Sequence, residues 1–239
     1  MSGAALGPAM RALRRTTTAV LALLGLDLLV VLVTGSQSLL AGGAPVGGAG
    51  FGLRAAALAV LLVLRLRVFV ERERRMSGGR LLLLLLLLPA IAQFHFAGGR
   101  ISGDGVMYYV YVRSLRKDHD LDFTDEYTHY GLINRGDLAV TTRTGLRRSI
   151  FSIGPAVVWT PFFFLGEAVA QGQALLGAEA DLSGYGPAHR NAVALGSLLY
   201  GFAAILLIHG LLRRHFSEGT ALGGALLVWG ATFLHWYMV

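Results

Sequence analysis

The pattern of apolar and polar positions divides the chain into greasy runs, short basic stretches and one long polar segment. Residues 16–35 are apolar almost throughout, about the twenty residues a helix needs to cross hydrocarbon, and Arg11, Arg14 and Arg15 stand just before them. A glycine-rich, uncharged stretch follows at 36–52. The next run, 55–64, is short, with Arg54 before it and Arg65 and Arg67 after it. It can cross if residues 47–51 are counted in or if the two later arginines snorkel. After the basic cluster ERERRMSGGR come eight leucines and PAIAQFHFA, which predict a span over 81–97 kinked at Pro89. Residues 98–149 are polar. Beyond them lie an apolar run interrupted by Gly154, Pro155, Pro161, Gly166 and Glu167, a clean run at 191–212, and a last one at 220–239.

The charges orient these runs. Arginines before residue 16 and the cluster at 71–80 belong on the cytoplasmic side by the positive-inside bias, so the N-terminus is cytoplasmic and 98–149 lies outside. If the run at 150–175 crossed, Arg213 and Arg214 would end outside as well. Lying in the interface as a broken amphipathic helix, it returns them to the cytoplasm. The expected fold class is therefore all-α, a polytopic transmembrane helical bundle with an exterior, periplasmic loop bearing juxtamembrane amphipathic helices. Residues 1–80 form a cytoplasmic tail and two spans. Residues 81–239 form a second portion, with a span at 81–97, an exterior loop at 98–149, an interfacial helix at 150–175 and spans at 191–212 and 220–239. The last run stops on HWYMV without a flanking charge, which reads as a truncated chain.

Composition agrees: of 239 residues, 54% are hydrophobic and 15% charged, where soluble domains sit near a quarter charged. The formal charge of +7 would suggest nucleic acid in a soluble protein. Here the arginines flank apolar runs and serve topology and lipid headgroups instead, so nucleic acid is excluded as a partner and the bilayer takes its place. With no cysteine there is no disulfide, thiolate metal site or thiol nucleophile. Asp27 falls mid-span, where a carboxylate is costly unless it faces protein or water.

Chemistry concentrates in 98–149, which holds seven of the fourteen acidic residues. In SGDG, Ser102 or Asp104 can cap a helix running to about Lys117, with Tyr108, Val112 and Leu115 on one stripe at the membrane surface. Asp104 is then either a cap or a carboxylate held at the water–lipid boundary. DHDLDFTDEY fails as a calcium loop, because Phe123 stands where glycine is required and His129 at the twelfth position. A looser metal site remains open beside the alternative of a solvated acidic turn. In TTRTGLRRS, Arg143, Arg147 and Arg148 can fork onto phosphate or onto anionic headgroups. Arg190 stands similarly at the mouth of the next run.

The order of a span, GDGxxYY at its exit, DLDFxxEY in a polar loop, IGPAVVWTPFFFLG, and an Arg-led span ending RRHF resembles the N-terminal part of GT-C superfamily polytopic glycosyltransferases. Within that superfamily it looks similar to the protein mannosyltransferase and aminoarabinose transferase relatives. The resemblance covers residue 81 to the end, and departs from the family in showing a single acid, Asp104, where a pair is usual. It implies a membrane glycosyltransferase of a bacterial inner membrane. Such an enzyme moves a sugar from a polyprenyl-phosphate donor to a glycan, lipid or protein acceptor on the exterior face. It further implies Asp104, Asp125 and Glu126 as catalytic acids, Arg100, Tyr108, Arg147, Arg148 and Arg190 as substrate-binding residues, and a divalent metal ion on Asp104, Asp120 and Asp122. Two other classes stay open: a transporter or lipid-linked-sugar flippase subunit, for which Asp27 and the Pro-broken runs speak, and a structural membrane protein.

Overall fold

The computed structural model describes residues 8–34 and 99–232, together with 57, 79, 82, 86 and 87. The expected spans at 47–64 and 81–97 therefore lie outside the described residues, apart from those isolated positions, as does the run beyond 232. The described residues are mostly helical and contain no strand; one isolated antiparallel bridge joins Thr141 to Arg147. The helices are α1 (Pro8–Thr34), α2 (Asp104–Arg113), α3 (Thr124–His129), α4 (Gly154–Leu175), α5 (Pro187–Leu212) and α6 (Glu218–Ala231). Of these, α5 is long and apolar enough to cross a membrane.

The chain divides into two compact units, one of residues 1–93 and 203–232, the other of 94–202 and 233–239. In the first, Asp27 is buried within α1 at 1% exposure. The end of α5 turns tightly into α6. Ser217 caps α6 by accepting from Thr220 N, and Glu218 in its first turn pairs with Arg213 and lies 3.6 Å from His209 Nε2. An acid in a first turn also complements the helix dipole.

In the second unit α2 is the central element. One face packs Val106, Met107 and Val110 on Phe123, Tyr127 and Leu138. The other packs Tyr109 and Val112 on Ala156, Phe163 and Val193. The expectation of a surface helix with a Tyr108–Val112–Leu115 stripe is corrected here: Val112 is buried, Leu115 is 45% exposed, and apolar residues lie on both sides of α2 rather than on one. Neither Ser102 nor Asp104 caps it. The capping position falls on Gly103, at φ 56 and without a side-chain bond, which makes Asp104 the first helical residue. A π-helical turn, Ser114–Asp118, extends α2 and stops at His119, a left-handed residue at φ 62.

α4 runs unbroken through Pro161, with Pro155 in its first turn, where a missing N–H costs nothing. The expected break in this run is absent. α4 lies alongside α2 in the same direction: Tyr108 meets Trp159, Tyr109 meets Phe163, and Arg116 and Lys117 both pair with Glu167, at 2.9 and 2.8 Å. It runs antiparallel to α5. Tyr200 donates to Val158 O, Trp159 Nε1 to Ser197 Oγ, Phe162 covers Gly196, and Gly166 crosses at His189. The polar Glu167 thus points inward. Outward, Val157, Val158, Pro161, Phe164, Leu165 and Ala168 form one exposed apolar stripe at helical spacing.

Two glycines of α4, Gly166 and Gly172, should respond to alanine with opposite signs. A Cβ on Gly166 would stand 2.6 Å from the His189 Cα, where backbone cannot yield, whereas Gly172 has open space. Gly172→Ala is expected to raise the thermal midpoint in detergent through the helix-propensity gain of about 0.5–1 kcal/mol. Gly166→Ala is expected to lower it, by the roughly 1–3 kcal/mol of an overpacked contact.

Candidate functional site

The site grows out of the short helix α3. Phe123 and Tyr127 are four residues apart and both sink into the apolar cluster on α2. Glu126 and Tyr130 share that inward stripe, because residues three and four apart lie on one helix face. Packing of the aromatics therefore carries the Glu126 carboxyl inside, to 0% exposure, while Asp125 stays on the outer face, exposed. Two turns fix the approach to α3. Ser114 Oγ donates to Asp120 Oδ1 at 2.9 Å, Asp122 N donates to the same oxygen at 3.1 Å, and Thr124 Oγ1 donates to Asp122 Oδ1 at 2.8 Å.

Arg113, the last residue of α2, meets Glu126. Its Nη1 lies 3.2 Å from Glu126 Oε1 and also bonds Asp118, and its Nε donates to Ser183 O at 3.3 Å. The guanidinium stands over the Tyr185 ring, 4.4 Å from the centroid, and His129 stacks on that ring at 3.7 Å and 9°. Tyr109 donates its hydroxyl to Gly184 O, so the connection between α4 and α5 is drawn down onto α2. Within this enclosure Glu126 Oε2, Tyr130 Oη, Tyr185 Oη and Arg190 Nε are buried without a hydrogen-bond partner among the described residues.

Burial pushes the Glu126 carboxyl up from the ordinary carboxylate range to about 7; Asp118 adds to the rise, and Arg113 opposes it by hydrogen bond and charge. Burial likewise raises Tyr130 to about 12, with the Glu126 charge adding and Arg190 opposing. The Tyr185 hydroxyl is raised for the same first reason. Arg113 is held above its usual value: burial works against its charge, and Tyr185, Glu126 and Asp118 outweigh it. The result is a carboxyl matched to taking or giving a proton near neutrality, beside a fixed cation and two phenol donors.

The other residues expected at the site are dispersed. Asp104 is exposed in the first turn of α2, with no paired group among the described residues. Arg100 and Arg148 are exposed; the Arg148 carbonyl accepts from Tyr127 Oη at 2.9 Å. Tyr108 is packed edge-on against Phe151 and Trp159. Arg147 reaches Leu138 O, and its backbone N–H donates to Asp122 Oδ1. Of the five, Arg190 comes near the tyrosines around Glu126, its charge felt at Tyr130 and Tyr109. Asp104, Asp120 and Asp122 do not fit a shared metal ion. Asp120 and Asp122 spend oxygens on turns, and Asp104 lies a length of α2 away from Ser114, about 15 Å. Among the described residues no three His, Asp or Glu side chains converge.

Arg113, Tyr130 and Tyr185 escaped the sequence reading. FTDEYTHY did carry a signal: Phe123, Glu126, Tyr127 and Tyr130 fall on one helical stripe, an acid among aromatics. No local pattern pointed to Tyr185, nearly sixty residues on. No protein-family model, curated protein or solved structure matches the chain.

The raised carboxyl makes stability depend on pH. Glu126 binds its proton more tightly folded than unfolded, so its contribution is intact below the ordinary value of 4.5 and is lost as pH rises through about 7. The loss is on the order of 3 kcal/mol. Thermal midpoints in detergent should therefore fall between about pH 5 and about pH 8, and Glu126→Gln should flatten that slope. A slope unchanged by the substitution would place the titration elsewhere.

Proposed function

We propose that the chain is part of a multi-pass glycosyltransferase of a bacterial inner membrane, of the GT-C kind it resembles. It would transfer a sugar from a polyprenyl-phosphate donor to a glycan, lipid or protein acceptor on the exterior face. Glu126 is the general base of this reading. The acceptor hydroxyl oxygen attacks the anomeric carbon, the bond from that carbon to the donor phosphate breaks, the phosphate departs with the electron pair, and the hydroxyl proton passes to Glu126. Arg190 and Arg113 supply positive charge beside the reacting groups, where preorganised charge lowers a barrier most. One observation carries the reading: a fully buried carboxyl, raised to about 7, with one oxygen on Arg113 and the other unpaired.

A transporter or flippase subunit is the second reading, and it draws on Asp27, buried within the apolar run of α1. Substitution separates the two. Glu126→Gln keeps an acceptor for Arg113 and removes the base, and is expected to reduce sugar transfer in membranes by ~10²–10⁴-fold. Asp27→Asn is expected to leave transfer near wild type. The opposite pattern favours the transporter, and a loss confined to Asp104→Asn moves the base to the start of α2.

A further inference from the structure

Glu126 has no exposed surface, and the connection between α4 and α5 lies over it. We propose that this connection, residues 176–186, is a hinged strap that seals Glu126, with Tyr185 as its plug, and that it lifts to admit a hydroxyl-bearing ligand.

The ties that hold the strap down are few and of a kind that can exchange. They are the Tyr109 hydroxyl on Gly184 O, Arg113 Nε on Ser183 O, and the Tyr185 ring against the Arg113 guanidinium, the His129 ring and, edge-on, the Tyr130 ring. Glycines stand near both ends in the left-handed region, Gly177 at φ 74 and Gly184 at φ 93, where only glycine rotates freely. Gly184 is also tight: a Cβ there would come 3.1 Å from Arg113 Cγ and 3.2 Å from Phe163 Cζ. Outside, Leu176, Asp181 and Leu182 are exposed, so no packed layer among the described residues pins the strap from above.

What lies beneath argues that the seated position is one of two. Glu126 Oε2, Tyr130 Oη, Tyr185 Oη and Arg190 Nε are all left without a hydrogen-bond partner among the described residues, and each such buried group works against the folded state. A connection whose only task was packing would gain by replacing them with apolar side chains. A carboxyl oxygen that can accept, two phenols and a guanidinium N–H are together the complement of a ligand rich in hydroxyls. Such a ligand reaches them only when Tyr185 moves. Local opening of a weakly tied segment is the usual route to such groups.

The test uses the full chain in lipid nanodiscs and no sugar, so the strap stands or falls separately from the transferase reading. Tyr109→Phe removes the hydroxyl tie to Gly184 O and leaves the Tyr185 plug in place. The probe is a water-soluble carbodiimide with an amine nucleophile, with modification read at Glu126 by mass spectrometry and exposed Asp125 on the same helix as the reference. Tyr109→Phe should raise Glu126 modification several-fold relative to Asp125, as expected when opening is required for reaction. In the native background, Tyr185→Ala should raise it by a similar factor, while Tyr185→Phe, which keeps the ring, should not. Modification of Tyr109→Phe at the wild-type rate overturns the strap. So does a wild-type rate in Tyr185→Ala.

Discussion

The second unit depends on keeping one buried cation paired. Arg113 is charged at any working pH and is 9% exposed. Its partners come from separate parts of the chain: Asp118 from the π-helical turn, Glu126 from α3, and the Ser183 carbonyl and Tyr185 ring from the connection before α5. A buried ion pair is weak evidence for net stability, but removing one partner typically costs about 3–5 kcal/mol, because a charge is left without compensation. Arg113 thereby fixes where three otherwise independent pieces must sit.

Neither α3 nor the strap could hold its place alone. A helix of six residues gains too few hydrogen bonds to offset its nucleation, and α3 lacks a side-chain cap. It is held by Phe123 and Tyr127 in the apolar cluster and by Arg113 on Glu126. The same aromatic pair that anchors α3 turns Glu126 inward, so burial of the acid follows from the packing of its neighbours.

The long apolar runs were legible in sequence because length and the absence of charge are local properties: residues 16–34 of the first run fall in α1, and 191–212 fall in α5. The environment of α2 was not legible. Apolar residues on both sides of a ten-residue helix resemble a one-sided stripe with scatter, and only the tertiary structure shows that Val110 and Tyr109 both face packed neighbours. The cap failed for a related reason. Ser102 and Asp104 are both good caps by type, but a positive φ at Gly103 shifts the first turn by one residue. In the acidic segment, sequence could gather Asp125 and Glu126 but not tell them apart. What separates them is the 100° between successive helical residues, which leaves one in solvent and the other against Arg113.

The charge count within the enclosure makes the proton on Glu126 the natural variable. With Asp118 and Glu126 both ionised beside Arg113, the triad carries one net negative charge in a site where burial opposes it. With Glu126 protonated, the triad is neutral. Burial and the Asp118 charge favour the neutral form, Arg113 favours the ionised one, and the balance lies near neutrality. Strengthening the Arg113 contact would drive Glu126 down to an ordinary, weakly basic carboxylate; removing it would lock the proton on. Asp118 therefore matters although it does not touch the Glu126 carboxyl: by taking part of the Arg113 charge, it leaves Glu126 basic enough to accept a proton and acidic enough to return it.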